Sequence, residues 1–310
     1  IPTTYLDRIL HKHKIFYSMI SIMGLDGLSP TLKLIKHSKN IAVVNKESLI
    51  CGWNLIKKEL KKYKTNFIPI DSEHFSISEI LKNSNSALIE KIYFTASGGP
   101  FLNFSKSKLS KVSVRDALKH PNWKMGKKIS IDSATMMNKV FEVIEAKNIF
   151  DVSYNKISIL IHPKSYVHAL IKFNNGQIKF LAHEADMKIP IHNSIYLNNT
   201  KKIHTKDLNL DIINNLNFQK IDNKMFPTTK ILTSLPKINS LYETSLVTIN
   251  DYFVSKFLEN KINFNQLINL ICKYSNKSNF AKLKKIIVRN INDIHKTRKY
   301  VNEILNNSGI

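Results

Sequence analysis

Cysteine and long apolar runs are scarce in this 310-residue chain, and both scarcities narrow the classes of protein it can belong to. Cys51 and Cys272 lie far apart and match no metal-binding spacing, so we expect no disulfide and a reducing compartment. No stretch approaches the ~18 uninterrupted apolar residues of a membrane span, and the first residues lack the build of a signal peptide. We therefore expect a cytoplasmic location and no membrane partner.

Acidic residues are also few, since 23 Asp and Glu stand against 47 Lys and Arg, which gives a formal net charge of +24. This charge raises the hypothesis of a basic nucleic-acid-binding protein, because phosphate backbones attract clustered cationic side chains. The lysines are not clustered with stacking aromatic residues, however. They are interleaved with Asn and Ile along the whole chain, as in Lys57-Lys58 and Lys284-Lys285, so we predict no nucleic-acid partner.

The eight glycines are too scattered to form a glycine-rich phosphate loop, and no Gly-x-Gly-x-x-Gly motif occurs. Short apolar strands nonetheless alternate with helical patterns in residues 1–70. The pattern predicts strands at 18–23, 41–44 and 67–70, and helices at 30–37 and from residue 45 to residue 60. This βαβα order indicates an incomplete Rossmann-like parallel sheet with helices on its faces.

The remainder divides by pattern into three segments, which makes the predicted fold class α/β plus α. Residues 71–196 mix strands and helices and are predicted to form an α+β catalytic domain. Residues 197–225 have little periodicity and are interpreted as a linker, and residues 226–310 as a C-terminal helical domain. Within the second segment, strand 157–161 is predicted to form a hairpin with residues 177–181 after the Asn-Asn-Gly turn at 174–176.

Carboxylates follow the third predicted strand directly, in the tetrapeptide Asp71-Ser72-Glu73-His74. In open α/β sheets, ligands bind beyond the carboxyl ends of the strands. Two carboxylates with a hydroxyl between them supply hard oxygen ligands, which suit Mg²⁺ or Mn²⁺. The alternative is that Asp71 only caps the helix that follows, which is the more common role of such a residue after a strand.

Two further segments suggest an anion site. The turn Ser97–Pro100 follows strand 92–96 and lets backbone N–H groups approach an anion, although a plain turn is the simpler interpretation. A helix is predicted from Ser133, with Asp132 or Ser133 as its N-cap, and its polar face suits a phosphate near the helix N-terminus. The alternative is a solvated face with a Lys139–Glu142 pair.

The loop at residues 120–126 carries Trp123 and Met125 among polar residues. Such a loop is predicted either to close over a site as a lid or to lie on the surface with Trp123 as its anchor.

These motifs, in this order, resemble those of the 1-deoxy-D-xylulose 5-phosphate reductoisomerase family. The resemblance covers about residues 18–195 and continues more loosely to the C-terminus. It implies the NADPH-dependent rearrangement and reduction of 1-deoxy-D-xylulose 5-phosphate to 2-C-methyl-D-erythritol 4-phosphate, with a divalent metal, in the non-mevalonate isoprenoid pathway. The strings that carry it are Asn45-Lys46-Glu47-Ser48, Asp71-Ser72-Glu73-His74, Ser97-Gly98-Gly99-Pro100-Phe101, His120-Pro121-Asn122-Trp123-Lys124-Met125-Gly126, Asp132-Ser133-Ala134-Thr135-Met136-Met137-Asn138-Lys139 with Glu142, and Ile161-His162-Pro163-Lys164-Ser165.

The resemblance also implies a role for each matching residue, a homodimer, and residues 1–70 as the second half of a dinucleotide-binding domain. The implied metal ligands for Mg²⁺ or Mn²⁺ are Asp71, Glu73 and Glu142, and with Lys46 they form the catalytic set. The implied substrate ligands are Lys46, Ser72, Glu73, Ser97, His120, Ser133, Asn138, Lys139 and Glu142. The positions implied to touch NADPH are Asn45, Glu47 and Gly126.

The chain departs from the family pattern in three places. The glycine-rich amino-terminal fingerprint is absent, so we expect an N-terminally truncated sequence; the alternative is a non-redox relative that binds phosphosugar and metal but not the cofactor. In either case the chain as given is expected not to oxidise NADPH. Residues 75–79 differ from the usual Asn-Ala-Ile-Phe-Gln, and the family's Leu-Asn-Ala-Ala-Asn-Glu survives only as Leu246–Asp251. The last difference is expected to affect packing or dimerisation more than chemistry.

Overall fold

The computed structural model of the chain describes residues 6–10, 14–197 and 201–309. Parts of the predicted N-terminal domain and linker fall on residues 1–5, 11–13 and 198–200, which lie outside the described residues together with residue 310. The strands are β1 Ile15–Ile20, β2 Ser38–Val43, β3 Asn66–Ile68, β4 Ile89–Ala96, β5 Ile157–Ile161, β6 Val167–Phe173, β7 Ile178–Ala182 and β8 Gln219–Lys220.

Helices connect the strands and make up most of the C-terminal third. In chain order they are α1 Leu6–Ile9, α2 Leu28–His37, α3 Lys46–Cys51, α4 Trp53–Tyr63, α5 Ser72–Lys82, α6 Lys106–Leu109, α7 Val114–Ala117, α8 Lys127–Ala134, α9 Met137–Phe150, α10 Lys188–Tyr196, α11 Leu210–Asn214, α12 Leu241–Leu258, α13 Phe264–Ser275, α14 Ser278–Ala281 and α15 Ile291–Asn306.

The first sheet is the predicted incomplete parallel sheet, with strand order β1-β2-β3. The helix predicted from residue 45 to residue 60 is instead two helices, α3 and α4, which meet at Gly52. A Cβ at Gly52 would lie 2.5 Å from Leu28 Cδ1, so the glycine allows α2 to pack closely at this junction. The chain runs from the end of β2 through residues 44–45 into α3. From the end of β3 it runs through residues 69–71 into α5.

The second sheet is mixed and has the strand order β7-β6-β4-β5-β8. The hairpin predicted between residues 157–161 and 177–181 is wrong, because β7 pairs with β6, which precedes the turn at 174–176. The strand at 157–161, β5, lies parallel to β4 instead. Polar residues interrupt the apolar pattern of β6, which is why the sequence pattern did not identify it as a strand.

The C-terminal helices share one hydrophobic core with the helices of the first sheet. Phe253 and Phe257 of α12 belong to the same buried cluster as Ile56 of α4 and Phe141 of α9. Capping boxes begin α12, α13 and α15, in which an N-cap Ser or Asn and an acidic or amide side chain three residues later bond each other's backbone. The predicted C-terminal helical segment is therefore confirmed.

The domain boundaries at residues 70, 196 and 225 stay a prediction. In the described part of the predicted linker, Leu210–Asn214 forms the short helix α11, and Gln219–Lys220 adds β8 to the edge of the second sheet. Among the helices in the described part of the chain, none is both long and apolar enough to cross a membrane.

Candidate active site

One cavity of about 220 Å³ lies where β2, β3 and β4 end and α5, α8 and α9 meet. Every residue that the sequence resemblance assigned to metal or substrate lines it: Lys46, Asp71, Ser72, Glu73, Ser97, His120, Ser133, Asn138, Lys139 and Glu142. The three residues assigned to NADPH are not among those that line this cavity.

The three predicted metal carboxylates come together from two distant segments. Asp71 stands at the N-cap of α5, Glu73 lies in the first turn of that helix, and Glu142 lies on α9. One oxygen from each lies within 4.8 Å of the others. The Asp71 side chain makes no capping hydrogen bond, so the alternative that this residue only caps α5 does not hold. Its carboxylate is directed at the cavity instead.

Two buried ammonium groups contact these carboxylates. Lys46 Nζ lies 2.7 Å from Asp71 Oδ2 and also donates to Asn138 Oδ1 at 2.9 Å. Lys139 Nζ donates to Glu73 Oε1 at 2.5 Å and also contacts Glu142. The Lys139–Glu142 pair expected on a solvated face therefore exists, but it lies inside the protein, where Lys139 is 4% exposed.

The pKa values in the cluster reflect burial and close charges. Burial alone would raise the pKa of Asp71, but the Lys46 ammonium and then His74 outweigh it and hold that pKa below its usual range. Burial and the repulsion of Glu73 raise the pKa of Glu142, and Lys139 offsets this only in part. The three carboxylates carry more negative charge than the two ammonium groups neutralise. This excess favours the binding of an additional cation.

His120 and Ser97 form a second polar group in the cavity. His120 Nδ1 accepts the backbone N–H groups of Asn122 and Trp123 at 3.2 and 2.9 Å, which places the imidazole proton on Nε2. That nitrogen lies 3.1 Å from Ser97 Oγ, which also accepts the N–H of Gly99 at 3.0 Å. Burial and the charge of Lys139 lower the pKa of His120 to about 4, so the ring is neutral at pH 7.

The prediction that Ser133 begins a helix is wrong. Ser133 is the penultimate residue of α8, and α9 begins only at Met137 after a break. Met136 adopts a left-handed backbone with φ of 64°, which ends one helix and redirects the chain into the next. The helix N-terminus at the cavity is therefore that of α9, whose first turn carries Asn138 and Lys139.

Glycines explain how the Ser97 turn reaches α8. Gly98 and Gly99 both have positive φ, 88° and 66°, which a residue with a side chain adopts with strain. A Cβ on Gly99 would lie 3.2 Å from Ala134 Cα, so the turn packs directly against the end of α8. This close approach brings Ser97 and Ser133 to the same cavity.

The loop at residues 120–126 borders the cavity through Trp123 and Met125. The Asn122 amide donates to Pro163 O at 2.6 Å and to Ser165 Oγ at 2.8 Å, which ties the start of the loop to the second sheet. The half-buried Trp123 ring packs edge-on against His168, with ring centres 5.9 Å apart. Trp123 therefore anchors the loop, as the surface-loop interpretation predicts. It also lies at the cavity, as the lid interpretation predicts.

The residues assigned to NADPH are engaged in other contacts. Asn45 caps α3 by accepting the N–H of Ser48, and its amide donates to backbone carbonyls in the turn after β1. The Glu47 carboxylate is bonded by Lys128 at 2.9 Å. Gly126 is exposed at the N-cap of α8, with no atom within 4 Å of a Cβ built there.

The sequence predicted no role for several buried polar residues at the site. His74 Nε2 bonds the backbone oxygen of Glu142 at 2.9 Å and so joins α5 to α9. His168 and Ser165 line the cavity beside the loop. His74 and Ser165 stood in motifs already recognised, whereas His168 is a lone histidine in an undetected strand and offered no signal.

The fold and cavity define a class: an α/β enzyme with a carboxylate cluster and cationic and hydroxyl groups in one pocket at strand ends. Family models agree with this. The model for the 1-deoxy-D-xylulose 5-phosphate reductoisomerase C-terminal domain matches residues 67–150, that for the DXP reductoisomerase C-terminal domain matches 183–303, and that for 1-deoxy-D-xylulose 5-phosphate reductoisomerase matches 3–52.

Individual relatives support the same assignment. The chain is 58% identical to the 1-deoxy-D-xylulose 5-phosphate reductoisomerase of Pelagibacter ubique (strain HTCC1062), over 96% of this chain and 76% of the relative. It is 41% identical to that of Clostridium tetani (strain Massachusetts / E88), over 86% of this chain and 69% of the relative. The chain therefore belongs to the 1-deoxy-D-xylulose 5-phosphate reductoisomerase family.

Solved structures are similar over nearly the whole chain. A DOX-P reductoisomerase in complex with NADPH, fosmidomycin and magnesium matches with a TM-score of 0.87 and 32% identity, over 97% of this chain and 77% of that one. The enzyme from Zymomonas mobilis in complex with NADPH matches with a TM-score of 0.84 and 27% identity, over 96% and 76%.

Proposed function

We propose that this chain rearranges 1-deoxy-D-xylulose 5-phosphate and reduces it to 2-C-methyl-D-erythritol 4-phosphate. The observation that carries the proposal is the convergence of Asp71, Glu73 and Glu142 in one cavity with Lys46 and Lys139. A phosphorylated polyol ketone needs both halves of this arrangement, a cation for its oxygens and donors for its phosphate. Membership of the family supports the same reaction.

The carboxylate cluster fits a divalent cation. It offers hard oxygen donors only. Burial and the neighbouring negative charge of Glu73 raise the pKa of Glu142, and a bound cation offsets that charge. We propose Asp71, Glu73 and Glu142 as the ligands of Mg²⁺ or Mn²⁺, and magnesium is present in similar structures. Such an ion, when bound, supplies Lewis-acid polarisation of the ketone and a template for neighbouring substrate oxygens.

Phosphate binding is proposed for the part of the cavity lined by Ser97 and Ser133. Ser97 Oγ already accepts two hydrogen bonds, from His120 and Gly99, so its own proton is available for a phosphate oxygen. Asn138 and Lys139, in the first turn of α9, are proposed to add donors from the side of the carboxylate cluster that they contact in this structure. Binding energy at this remote end orients the reacting carbons.

Lys46 is proposed to act at the reacting end. Its ammonium is held by Asp71 and Asn138. Burial alone would lower its pKa, but the carboxylates of Asp71, Glu145 and Glu142 outweigh this and raise that pKa well above the usual value. It therefore remains a cation throughout and stabilises negative charge that develops on a substrate oxygen. Ser72 donates to Glu73 Oε2 at 2.6 Å and so orients that carboxylate. Closure of the loop at 120–126 is proposed to exclude water.

The hydride for the reduction is proposed to come from NADPH, which similar structures contain. Asn45 and Glu47 have their side chains committed elsewhere, so they would meet the cofactor through backbone atoms, beside the exposed Gly126. The described residues supply no glycine-rich turn for the pyrophosphate.

A homodimer is proposed from the free edge of the second sheet. The edge strand β7 exposes Ile178 by 61% and Phe180 by 47%, and alternation puts both on one face. Exposed apolar edge strands readily pair, and a second copy of this edge provides a matching surface. Within each chain, we propose a cofactor-binding domain at residues 1–70, a catalytic domain at residues 71–196 and a helical domain at residues 226–310.

Asp71→Asn tests the proposed reaction. An amide cannot replace a charged metal ligand, so we expect kcat/KM to fall at least about a hundredfold, with little change in melting temperature. The measurements are NADPH absorbance decay with substrate and Mg²⁺, and thermal unfolding. Asp26→Asn is the control, because Asp26 is exposed and its contact with Arg298, at 3.8 Å, lies on the surface.

The same assay has two further informative outcomes. Unchanged turnover in Asp71→Asn would remove Asp71 from the catalytic set. A wild-type protein that binds Mn²⁺ and fosmidomycin but does not oxidise NADPH would contradict the proposed reduction and agree with the expectation drawn from the absent glycine-rich fingerprint; it would not by itself single out the non-redox relative, because both interpretations of that absence predict it.

A further inference from the structure

The ammonium of Lys128 lies behind the cavity, at the meeting point of several helices. Its Nζ is 2.9 Å from Glu47 Oε1 on α3, 3.2 Å from Asp132 Oδ2 on α8 and 3.1 Å from Asp251 Oδ1 on α12. It is also 5.7 Å from the centre of the Phe141 ring on α9. One side chain thus links α8, which carries it, to three other helices.

A second contact from α12 lies beside this one. Asn250 Nδ2 donates to Asp132 Oδ1 at 2.7 Å, and both residues are almost fully buried. Asn250 and Asp251 are consecutive, so α12 meets α8 through two polar contacts at one point. Both belong to the segment Leu246–Asp251, where the sequence pointed to packing or dimerisation more than chemistry.

Stability alone does not account for this cluster. Three carboxylates surround one ammonium, and the Lys128 and Asp251 side chains are 35% and 38% exposed. Ion pairs with this much exposure contribute little to stability. Charged groups do, however, fix the relative position of the helices that carry them.

The linked helices carry parts of the proposed site. Glu47 directly follows Lys46 on α3, and Lys46 Nζ bonds Asp71 at 2.7 Å. Helix α8 begins where the loop 120–126 ends, at Gly126, and carries Ser133 to the cavity. The contacts of Lys128 therefore connect the helix of Lys46 to the attachment point of the loop.

We propose that Lys128 is a positioning residue, and that with Asn250 and Asp251 it holds α3 and α8 against α12. Helix α12 thereby sets the spacing between Lys46 and the loop over the cavity. This inference rests on the proposed function, but it assigns a role to residues that do not touch the cavity. Supporting residues of this kind keep the groups that contact the substrate in productive geometry.

The test compares Asp251→Asn with Asp251→Glu, which restores the residue of the family pattern. The control is Asp151→Asn, since Asp151 is 86% exposed at its side chain and forms a surface pair with Lys57 at 3.5 Å. All variants are made also in a Trp53→Phe background, which leaves Trp123 in the loop as the one tryptophan of the chain. The readouts are kcat and KM from NADPH oxidation, Trp123 fluorescence on titration with fosmidomycin and Mg²⁺, and melting temperature.

We expect Asp251→Asn to lower kcat/KM by about tenfold to a hundredfold, the usual range for loss of a supporting contact. The Trp123 response to fosmidomycin should change, while the melting temperature stays within a few degrees of the wild type. Asp251→Glu should retain activity within about threefold because it keeps the charge. Lys128→Met combined with Asp251→Asn should lose little more than Lys128→Met alone, because Lys128→Met already removes the contact with Asp251.

The proposal fails if Asp251→Asn behaves like Asp151→Asn in both activity and Trp123 fluorescence. It also fails if Asp251→Glu loses as much as Asp251→Asn, or if the losses only follow a lower melting temperature. If the wild-type protein does not oxidise NADPH with substrate, the proposed function fails instead, and the fosmidomycin titration of Trp123 alone decides the role of Lys128.

Discussion

At the scale of single residues, Lys139 and a divalent cation compete for the same oxygens. The Lys139 ammonium contacts Glu73 and Glu142, two of the proposed metal ligands. We expect Lys139→Met to strengthen Mn²⁺ binding by about tenfold, since a competing charge is removed, and to weaken the binding of inorganic phosphate. Isothermal titration calorimetry with each ligand measures both effects.

The matched control for this prediction is Lys172→Met. Lys172 also forms a pair with a glutamate, Glu90, at 2.6 Å, but both side chains are exposed and neither residue lines the cavity. It should leave both affinities unchanged. Weaker Mn²⁺ binding in Lys139→Met would mean that Lys139 organises the carboxylates and does not compete with the metal.

The sequence could identify the residues of the cavity but not their contacts. Short motifs after strands singled out Asp71 and Ser97, because ligands bind beyond the ends of strands, and the polar face of a predicted helix singled out Lys139. That Lys139 reaches the carboxylates depends on the angle between α5 and α9, which no local pattern encodes. The tautomer of His120 likewise depends on the backbone of its own loop.

At the scale of elements, the N-terminus of α12 contains a buried carboxyl group that couples stability to pH. Glu243 accepts the N–H and hydroxyl of Ser240, and burial raises its pKa from the usual 4.5 to about 7. Because the folded pKa is above the unfolded one, this group's stabilisation is complete below pH 4.5 and is lost as pH rises through 7.

Glu243→Gln tests this coupling, because a glutamine preserves the capping box without the charge. Relative to wild type, the variant should gain up to roughly 3 kcal/mol of unfolding free energy between pH 4.5 and pH 8. Urea unfolding at pH 5, 6.5 and 8 gives the comparison. Glu259→Gln, at the exposed end of the same helix, is the control, and parallel curves for Glu243→Gln and wild type would contradict the assignment.

Element boundaries were predictable only where the chain marks them with special residues. The helix break at Met136 has a positive φ at a residue that is neither Gly nor Asn, so the sequence showed one continuous pattern from Ser133. The break at Gly52 carried a visible signal, yet apolar spacing continued across it. Strand pairing in the second sheet depended on β6, whose mixed pattern hid it.

At the scale of the whole molecule, the long-range packing was the least predictable feature. Helix α12 shares a core with α3 and α4, although some 190 residues separate them in sequence. Just before α12, the Asn239 amide donates a hydrogen bond to Ile50 O, 189 positions away. Periodicity reports which face of a helix is apolar but not which partner covers it. The contacts of Asn250 and Asp251 with α8 therefore became visible only in the folded chain.

The free edge of the second sheet provides the test of assembly. We expect the wild-type protein to have the mass of two chains in size-exclusion chromatography with light scattering. Phe180→Lys combined with Ile178→Lys should have the mass of one chain, because charged side chains block edge pairing. Leu208→Lys is the control, since Leu208 is 68% exposed but lies outside β7. If the β7 double variant remains a dimer, or if Leu208→Lys alone dissociates it, the copies meet through another surface. Full NADPH oxidation by the monomeric double variant would show in addition that each cavity works without its partner.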